Sequence, residues 1–96
     1  MALHKKGWQE FIELCAKISS PKELNELFDL FLTIEEKETL ASRYLIIKEL
    51  VEGKLTQREI AETRKVSIAQ ITRGSNALKI ISPKLREILK TRAKYT

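Results

Sequence analysis

The chain has 96 residues, the size of one small domain, and 43% of them are hydrophobic, so a core can form. Three Gly, two Pro and 32% charged residues argue against a disordered chain. The formal net charge of +5 is unevenly spread: residues 1–53 carry seven Lys or Arg against ten Asp or Glu, and residues 54–96 carry eleven against three. A strongly basic second half is typical of a surface that binds nucleic acid.

Other simple features narrow the class of protein. Cys15 is the single cysteine, which excludes an internal disulfide and fits a reducing cytosol. Neither a signal peptide nor an 18-residue apolar stretch is visible, so we expect a cytoplasmic protein without a membrane span. His4 has no metal-binding neighbours, and no catalytic constellation is visible. We therefore expect no metal site and no enzyme.

Five helix-start signals divide the chain into six predicted helices. Thr33, Thr56 and Ser67 are each followed three residues later by Glu or Gln, as in a capping box. Two Ser-Pro pairs, at residues 20–21 and 82–83, place proline at the first helical position. Gly53 is a helix stop.

The apolar residues between these signals follow a helical period. The predicted stripes are Trp8, Phe11, Ile12, Cys15 and Ile18, then Leu24, Leu27, Phe28 and Phe31, then Leu40, Tyr44, Ile47 and Val51, and finally Leu85, Ile88 and Leu89. No segment alternates as a strand does, so the predicted fold class is all-α. The spacing of Trp8 and the phenylalanines favours core positions.

The segment LTQREIAETRKVSIAQITRGSNALK, residues 55–79, has the spacing of a helix-turn-helix. With Gln57 as its first position, Ala61 is the small residue needed where the helices approach. Ile60 and Ile71 point inward, and Val66 lies in the turn. Lys65 occupies the position where Gly is common because φ is positive, so a mild strain is expected there.

The same segment supplies the candidate DNA contacts. The second helix would present its first turn to base edges in the major groove, where Gln pairs with adenine and apolar groups contact thymine methyls. The candidates at that end are Ser67, Ile68, Ala69, Gln70 and Thr72. Candidates for phosphate contacts, which position the protein without specifying sequence, are Gln57, Arg58, Arg64, Lys65 and Lys79. A pair of packed helices with this spacing by chance is the alternative.

LTQRE followed by IAQITRGSNALK closely resembles the tryptophan repressor family, and so does the preceding LFLTIEEKETLASRYLIIKELVEGKL. The resemblance covers about residues 8 to 90. It implies a bacterial transcriptional repressor: a six-helix, intertwined homodimer that binds a near-palindromic double-stranded operator and uses L-tryptophan as corepressor. Within a single domain of residues 1–96, residues 1–53 and 82–96 would form the dimerisation core and residues 54–81 the helix-turn-helix head.

The resemblance also implies a ligand site. Arg43 and Arg73 would flank the indole, one from each subunit, and Arg73 with Thr33 would bind the carboxylate. Carbonyl groups of Leu30 and Leu32 would accept from the ammonium group, and Gly74 would let the ring approach. Guanidinium groups suit these tasks because they stack on aromatic faces and pair with carboxylates.

One position departs from the family. A serine that helps to hold the ligand's amino group is common three residues beyond Gly74, and this chain has Ala77 there. Losing such a hydrogen bond costs about 1.5–3 kcal/mol when nothing replaces it. A ligand-independent DNA-binding regulator of the same fold is therefore the alternative function, and a protein-interaction module that uses the acidic first half is a more distant one.

Overall fold

The computed structural model describes residues 4–94, and their side chains as far as residue 91; the remaining terminal residues of the predicted domain lie outside that range. The predicted six helices are confirmed: α1 Lys5–Ala16, α2 Pro21–Phe31, α3 Ile34–Glu52, α4 Gln57–Arg64, α5 Ile68–Leu78 and α6 Pro83–Lys94. No strand occurs in the described part of the chain. The chain divides into two compact units, residues 1–35 and 36–96.

The helix starts predicted at the two Ser-Pro pairs are formed by local capping bonds. Ser20 Oγ accepts from the backbone N–H of Glu23, and Ser82 Oγ accepts from that of Leu85. Gly53, directly after α3, has φ +69°, the left-handed conformation in which a helix commonly ends. α1 begins differently, because His4 Nδ1 accepts from the N–H of Gly7. Sequence inspection missed that cap, since histidine is not among the usual N-cap residues.

The first unit is held by aromatic contacts between α1 and α2. The ring of Phe11 lies 5.3 Å from that of Phe31 in an edge-to-face arrangement and 6.3 Å from that of Phe28. Trp8 adds a third contact, 6.0 Å from Phe11. Rings at these separations attract one another beyond their burial. Trp8 and Phe31 nevertheless stay half-exposed, so the predicted aromatic core is only partly covered in a single chain.

The second unit has a small core beneath the helix-turn-helix. Ile60 and Ile71 are fully buried, as predicted, and Ile46 of α3 completes the cluster at 2% exposure. Ala61 and Val66 pack against this cluster. The guanidinium group of Arg86 in α6 donates to the carbonyl of Leu78, which joins α6 to the end of α5.

The predicted buried stripe of α3 is wrong in part. Leu40 and Tyr44 are exposed at 50% and 43%, whereas Ile46, outside that stripe, is buried. α3 carries apolar residues on more than one face, so its period alone does not identify the face that packs against α4 and α5. A helix that is apolar on several faces is normally buried on several sides.

Candidate functional site

The turn between α4 and α5 has the conformation that the sequence predicts. Lys65 has φ 55° and ψ 47°, and it is the only non-glycine residue with positive φ among the described residues. Its backbone N–H and that of Val66 both donate to the carbonyl of Ala61. The strain at Lys65 is thus offset by bonds that close the end of α4 and redirect the chain into α5.

Both helices of the motif start in complete capping boxes. Thr56 Oγ1 accepts from the N–H of Glu59 at 3.1 Å, and the Glu59 carboxylate accepts from the N–H of Thr56 at 2.9 Å. The backbone and hydroxyl hydrogen bonds from Thr56 hold the pKa of Glu59 below its usual value of 4.5. Because the start of each helix is fixed in this way, the first turn of α5 has a defined conformation.

Most of the candidate DNA contacts are exposed and lie at these two helix starts or in the turn between the helices, whereas Lys79 follows the end of α5. Nine of the ten predicted residues are exposed: Gln57, Arg58, Lys65, Ser67, Ile68, Ala69, Gln70, Thr72 and Lys79. The hydroxyl of Thr72 donates to Oε1 of Gln57 at 3.4 Å, which links the recognition helix α5 to the start of α4. Ile68, about half-exposed at the start of α5, is an apolar side chain open to solvent. Such a group suits contact with a thymine methyl.

Arg64 differs from the prediction that it holds a phosphate. Its Nη2 lies 2.5 Å from Oε1 of Glu49 on α3, and the two side chains are 33% and 14% exposed. A half-buried ion pair between helices orients the motif against α3, so the guanidinium group of Arg64 already has an anionic partner within the protein. The net charge of +8 on residues 54–96 gives no information on which arginines face solvent, so it could not identify Arg64 as part of an ion pair.

Gln70 has the capping-box role that the sequence predicts, and this role bears on its predicted contact with adenine. The side-chain Oε1 of Gln70 accepts from the backbone N–H of Ser67 at 3.3 Å. The backbone N–H of Gln70 donates to Ser67 Oγ at the same distance. A bidentate contact with adenine needs both ends of the amide. In this chain one end closes the capping box instead.

A pocket of about 230 Å³ lies between α3 and α5. The residues that line it are Arg43, Ile46 and Ile47 from α3, and Gln70, Arg73, Gly74 and Ala77 from α5. Pockets for drug-sized ligands measure roughly 300–1,000 Å³, so this volume suits a smaller molecule. Its walls combine apolar surface with two guanidinium groups, which can stack on a flat ring and bind an anion.

Gly74 allows α5 to approach α3. A Cβ at this position would lie 3.3 Å from Ile47 Cδ1, 3.4 Å from Ile46 Cγ2 and 3.4 Å from Leu50 Cδ1. Two of these three residues also line the pocket. The lack of a side chain at Gly74 therefore sets both the packing of the two helices and the width of the pocket.

The predicted ligand residues fall into two groups. Arg43, Arg73, Gly74 and Ala77 meet at the pocket of one chain, and the expected pairing of one arginine from each subunit around the ligand stays a prediction. The other three belong to the first unit, at the junction of α2 and α3: Leu30 in the last turn of α2, 76% exposed, Leu32 as its C-cap, and Thr33 directly before α3. Their part in ligand binding stays a prediction.

Ile46 and Ile47 are pocket residues that sequence reasoning did not assign. Both lie within one turn of Arg43 on α3, and both contact the space above Gly74. The available signal was their i+3 and i+4 spacing from Arg43, which places them on the same helix face. Nothing in the sequence distinguished that face from the other apolar faces of α3.

Within residues 4–94, no helix has both the length and the apolar character that a membrane span requires. No group of three or more His, Cys, Asp or Glu side chains in that range is arranged to hold a metal ion.

Comparison with known proteins agrees with this geometry. Residues 6–93 match the family described as Trp repressor protein. The chain is 56% identical over 87 residues to the Trp operon repressor homolog of Chlamydia caviae, with 91% of this chain and 86% of the relative covered. It is 58% identical over 85 residues to the homolog of Chlamydia trachomatis serovar D, with 88% of this chain and 90% of the relative covered. It is 40% identical over 86 residues to the homolog of Vibrio campbellii, with 90% of this chain and 86% of the relative covered.

Members of this family are regulatory DNA-binding proteins rather than enzymes, and the helix-turn-helix is characteristic of them. This description agrees with the helix-turn-helix of α4 and α5 and with the exposed first turns of these two helices. It also agrees with the family match, which covers nearly the whole chain. The chain therefore belongs to the Trp repressor family and is a transcriptional regulator of that type.

Proposed function

We propose that this protein is a cytoplasmic, homodimeric repressor that binds a near-palindromic operator when L-tryptophan occupies the pocket between α3 and α5, and that it controls tryptophan-related genes. The observation that carries the proposal is the position of this pocket. The helix that presents its first turn to solvent, α5, also supplies Gln70, Arg73, Gly74 and Ala77 to the pocket wall. A ligand bound there touches the DNA-binding helix directly.

The ligand proposal is supported by the chemistry of the wall. The guanidinium groups of Arg43 and Arg73 can lie against an indole face, and either can pair with a carboxylate. Ile46, Ile47 and Gly74 supply apolar surface for the ring edge. A flat aromatic amino acid carries both features that this wall recognises, and the volume of about 230 Å³ suits a molecule of that class.

The DNA proposal is supported by exposure and charge. Arg58 in the first turn of α4, Lys65 in the turn before α5 and Lys79 after the end of α5 are exposed, in the half of the chain with net charge +8. Phosphate contacts by such groups position a protein on the duplex, whereas Ile68, Ala69 and Thr72 are placed to distinguish bases. Binding driven by several phosphate contacts weakens steeply as salt rises.

The dimer proposal is supported by apolar surface left open in a single chain. Leu40 and Tyr44 on α3, and Leu85 and Ile88 on α6, are all more than 40% exposed. Large apolar side chains grouped on helices that also carry a core are typical of a subunit interface. Two recognition helices about 34 Å apart would match one turn of duplex, which explains the expectation of a near-palindromic operator.

The proposed coupling is an equilibrium between arrangements of the helix-turn-helix. Tryptophan shifts it only by binding the DNA-competent arrangement more tightly. Tryptophan must then raise operator affinity by the same factor as operator raises tryptophan affinity.

The experiment begins with selection of binding sites from a pool of random-sequence duplexes in the presence of L-tryptophan. We expect enrichment of near-palindromic sites with half-sites about one helical turn apart. Gel shifts on the selected duplex should then show binding that weakens when tryptophan is removed. Arg73→Gln should lose this response, whereas Lys84→Gln, which removes an exposed cation outside the pocket, should retain it.

A ligand-independent regulator of the same fold is the second candidate, and Ala77 is the observation that favours it. Alanine leaves the pocket without the hydroxyl that the family resemblance leads one to expect for the ligand's amino group. Equal affinity for the selected duplex with and without tryptophan would establish this candidate and reject ligand control.

A further inference from the structure

Gln70 belongs both to the capping box at the start of α5 and to the pocket between α3 and α5. Through Oε1, 3.3 Å from the N–H of Ser67, it closes the capping box at the start of α5. The same residue lines the pocket, alongside Arg73 and Ala77. One residue therefore connects the pocket wall with the first turn of the recognition helix.

The polar side chains of the pocket are all suited to donate hydrogen bonds. Arg43 and Arg73 are donors only, and the other wall residues besides Gln70 are apolar. In Gln70 the oxygen is engaged by Ser67, so the Nε2 amino group is the end left to serve a ligand. A wall of this kind recognises an anionic group, such as a carboxylate, and offers no side-chain acceptor to an ammonium group.

We propose that Gln70 is a specificity-determining residue whose Nε2 donates to the carboxylate of the bound amino acid while its Oε1 caps α5. The proposal rests on the proposed function and names the chemistry of the ligand contact. Holding Nε2 restricts the amide and keeps Oε1 on the N–H of Ser67. The ligand thereby stabilises the turn that carries Ile68 and Ala69, two of the candidate base contacts.

The variant Gln70→Glu separates the two roles. Glutamate is the usual third residue of a capping box, and its charge is favourable at a helix N-terminus, so the cap is kept. The Nε2 donor is lost, and the new carboxylate faces the carboxylate of the ligand. In calorimetry on the full chain we expect L-tryptophan affinity to fall by about 10- to 100-fold or more.

Tryptamine, which is tryptophan without its carboxylate, is the discriminating probe. Gln70→Glu should bind tryptamine at least as well as the original chain does, so the preference for tryptophan over tryptamine should fall by at least the same factor. The matched control is Asn25→Asp, an exposed amide-to-carboxylate change on α2 with the same change in net charge. It should leave both affinities unchanged.

Three outcomes overturn the proposal. An unchanged tryptophan affinity in Gln70→Glu overturns it alone and leaves the proposed function standing. Equal losses for tryptophan and tryptamine would indicate a merely structural role. Failure of the original chain to bind tryptophan would reject the proposed ligand and this inference together.

A second measurement does not depend on the variant's folding. In the original chain, hydrogen exchange at the Ser67 amide should slow when tryptophan is added, because this N–H donates to Gln70 Oε1. Exchange at Ser67 that is unaffected by saturating tryptophan would contradict the link between pocket and cap.

Discussion

Arg64 at the end of α4 and Glu49 on α3 form an ion pair with Nη2 and Oε1 2.5 Å apart, and this pair ties the helix-turn-helix to α3. Nε of Arg64 is buried without a hydrogen-bond partner among the described residues. The guanidinium group is thus partly removed from water and depends on Glu49 for compensation.

Glu49→Gln should therefore destabilise the protein by about 1–2 kcal/mol, between the values typical of exposed and buried pairs. Urea denaturation at neutral pH measures this difference. Arg64→Met should restore part of the loss when combined with Glu49→Gln, because the uncompensated charge is then absent. Strictly additive effects in the double-mutant cycle would show that the pair contributes no coupling energy.

Lys65→Gly should raise the free energy of unfolding by about 0.5 kcal/mol. The left-handed conformation at φ 55° costs a lysine roughly 1–2 kcal/mol, and the greater unfolded-state entropy of glycine removes part of that gain. Thermal unfolding followed by circular dichroism checks the sign. Lys65→Asn, which tolerates the left-handed region and also lacks the charge, separates backbone relief from any lost phosphate contact in gel shifts. A clear drop in melting temperature for Lys65→Gly would contradict the argument.

Acid should weaken the start of α4 through Glu59. Hydrogen bonds from Thr56 lower the pKa of this carboxyl in the folded protein, below its usual 4.5. A group with a lowered folded pKa contributes stability above its unfolded pKa and loses it as pH falls through the folded value. Stability measured from pH 6 down to about 3 should therefore fall less steeply in Glu59→Gln than in the original chain. Glu62→Gln, on the same helix but outside the capping box, is the control and should not flatten the curve to the same degree.

Gly74→Ala should reduce the free energy of tryptophan binding more than it reduces the free energy of unfolding. Alanine gains about 1 kcal/mol of helix propensity over glycine, which offsets part of an overpacking cost of roughly 1–3 kcal/mol. The new methyl would lie 3.3–3.4 Å from Ile46, Ile47 and Leu50, and the buried Ile46 has little room to move. Calorimetry and thermal melts on one preparation compare the two losses. A loss of stability with undiminished ligand affinity would argue against Gly74 as part of the ligand site.

Ala77→Ser should raise the preference for L-tryptophan over an amine-free indole acid by roughly tenfold, because the new hydroxyl can accept from the ammonium group. In the unaltered chain, an indole acid lacking the amine should compete well, since the pocket wall recognises mainly the carboxylate and the ring. Competition calorimetry with both ligands measures this ratio. A ratio that does not change with the serine would place residue 77 outside the reach of the amino group.

The sequence determined by itself where α2 to α6 begin and that two of these helices form a helix-turn-helix. Capping boxes at Thr56 and Ser67, the prolines after Ser20 and Ser82, and the glycine after α3 act on neighbouring residues only, so their consequences can be deduced locally. The inward positions of Ile60 and Ile71 follow from the same short-range spacing. The family resemblance, carried by the run through Arg73 and Gly74, was confirmed by the match over residues 6–93.

Tertiary structure alone decided which face of α3 is buried, that Arg64 pairs with Glu49, and that Gln70, the residue that caps α5, also faces α3 across the pocket. Each of these facts depends on residues that are distant in the chain and become neighbours only when α3 packs against the helix-turn-helix. Charge counts and helical periods describe one segment at a time, so they could not distinguish an arginine engaged in an ion pair from one that faces solvent.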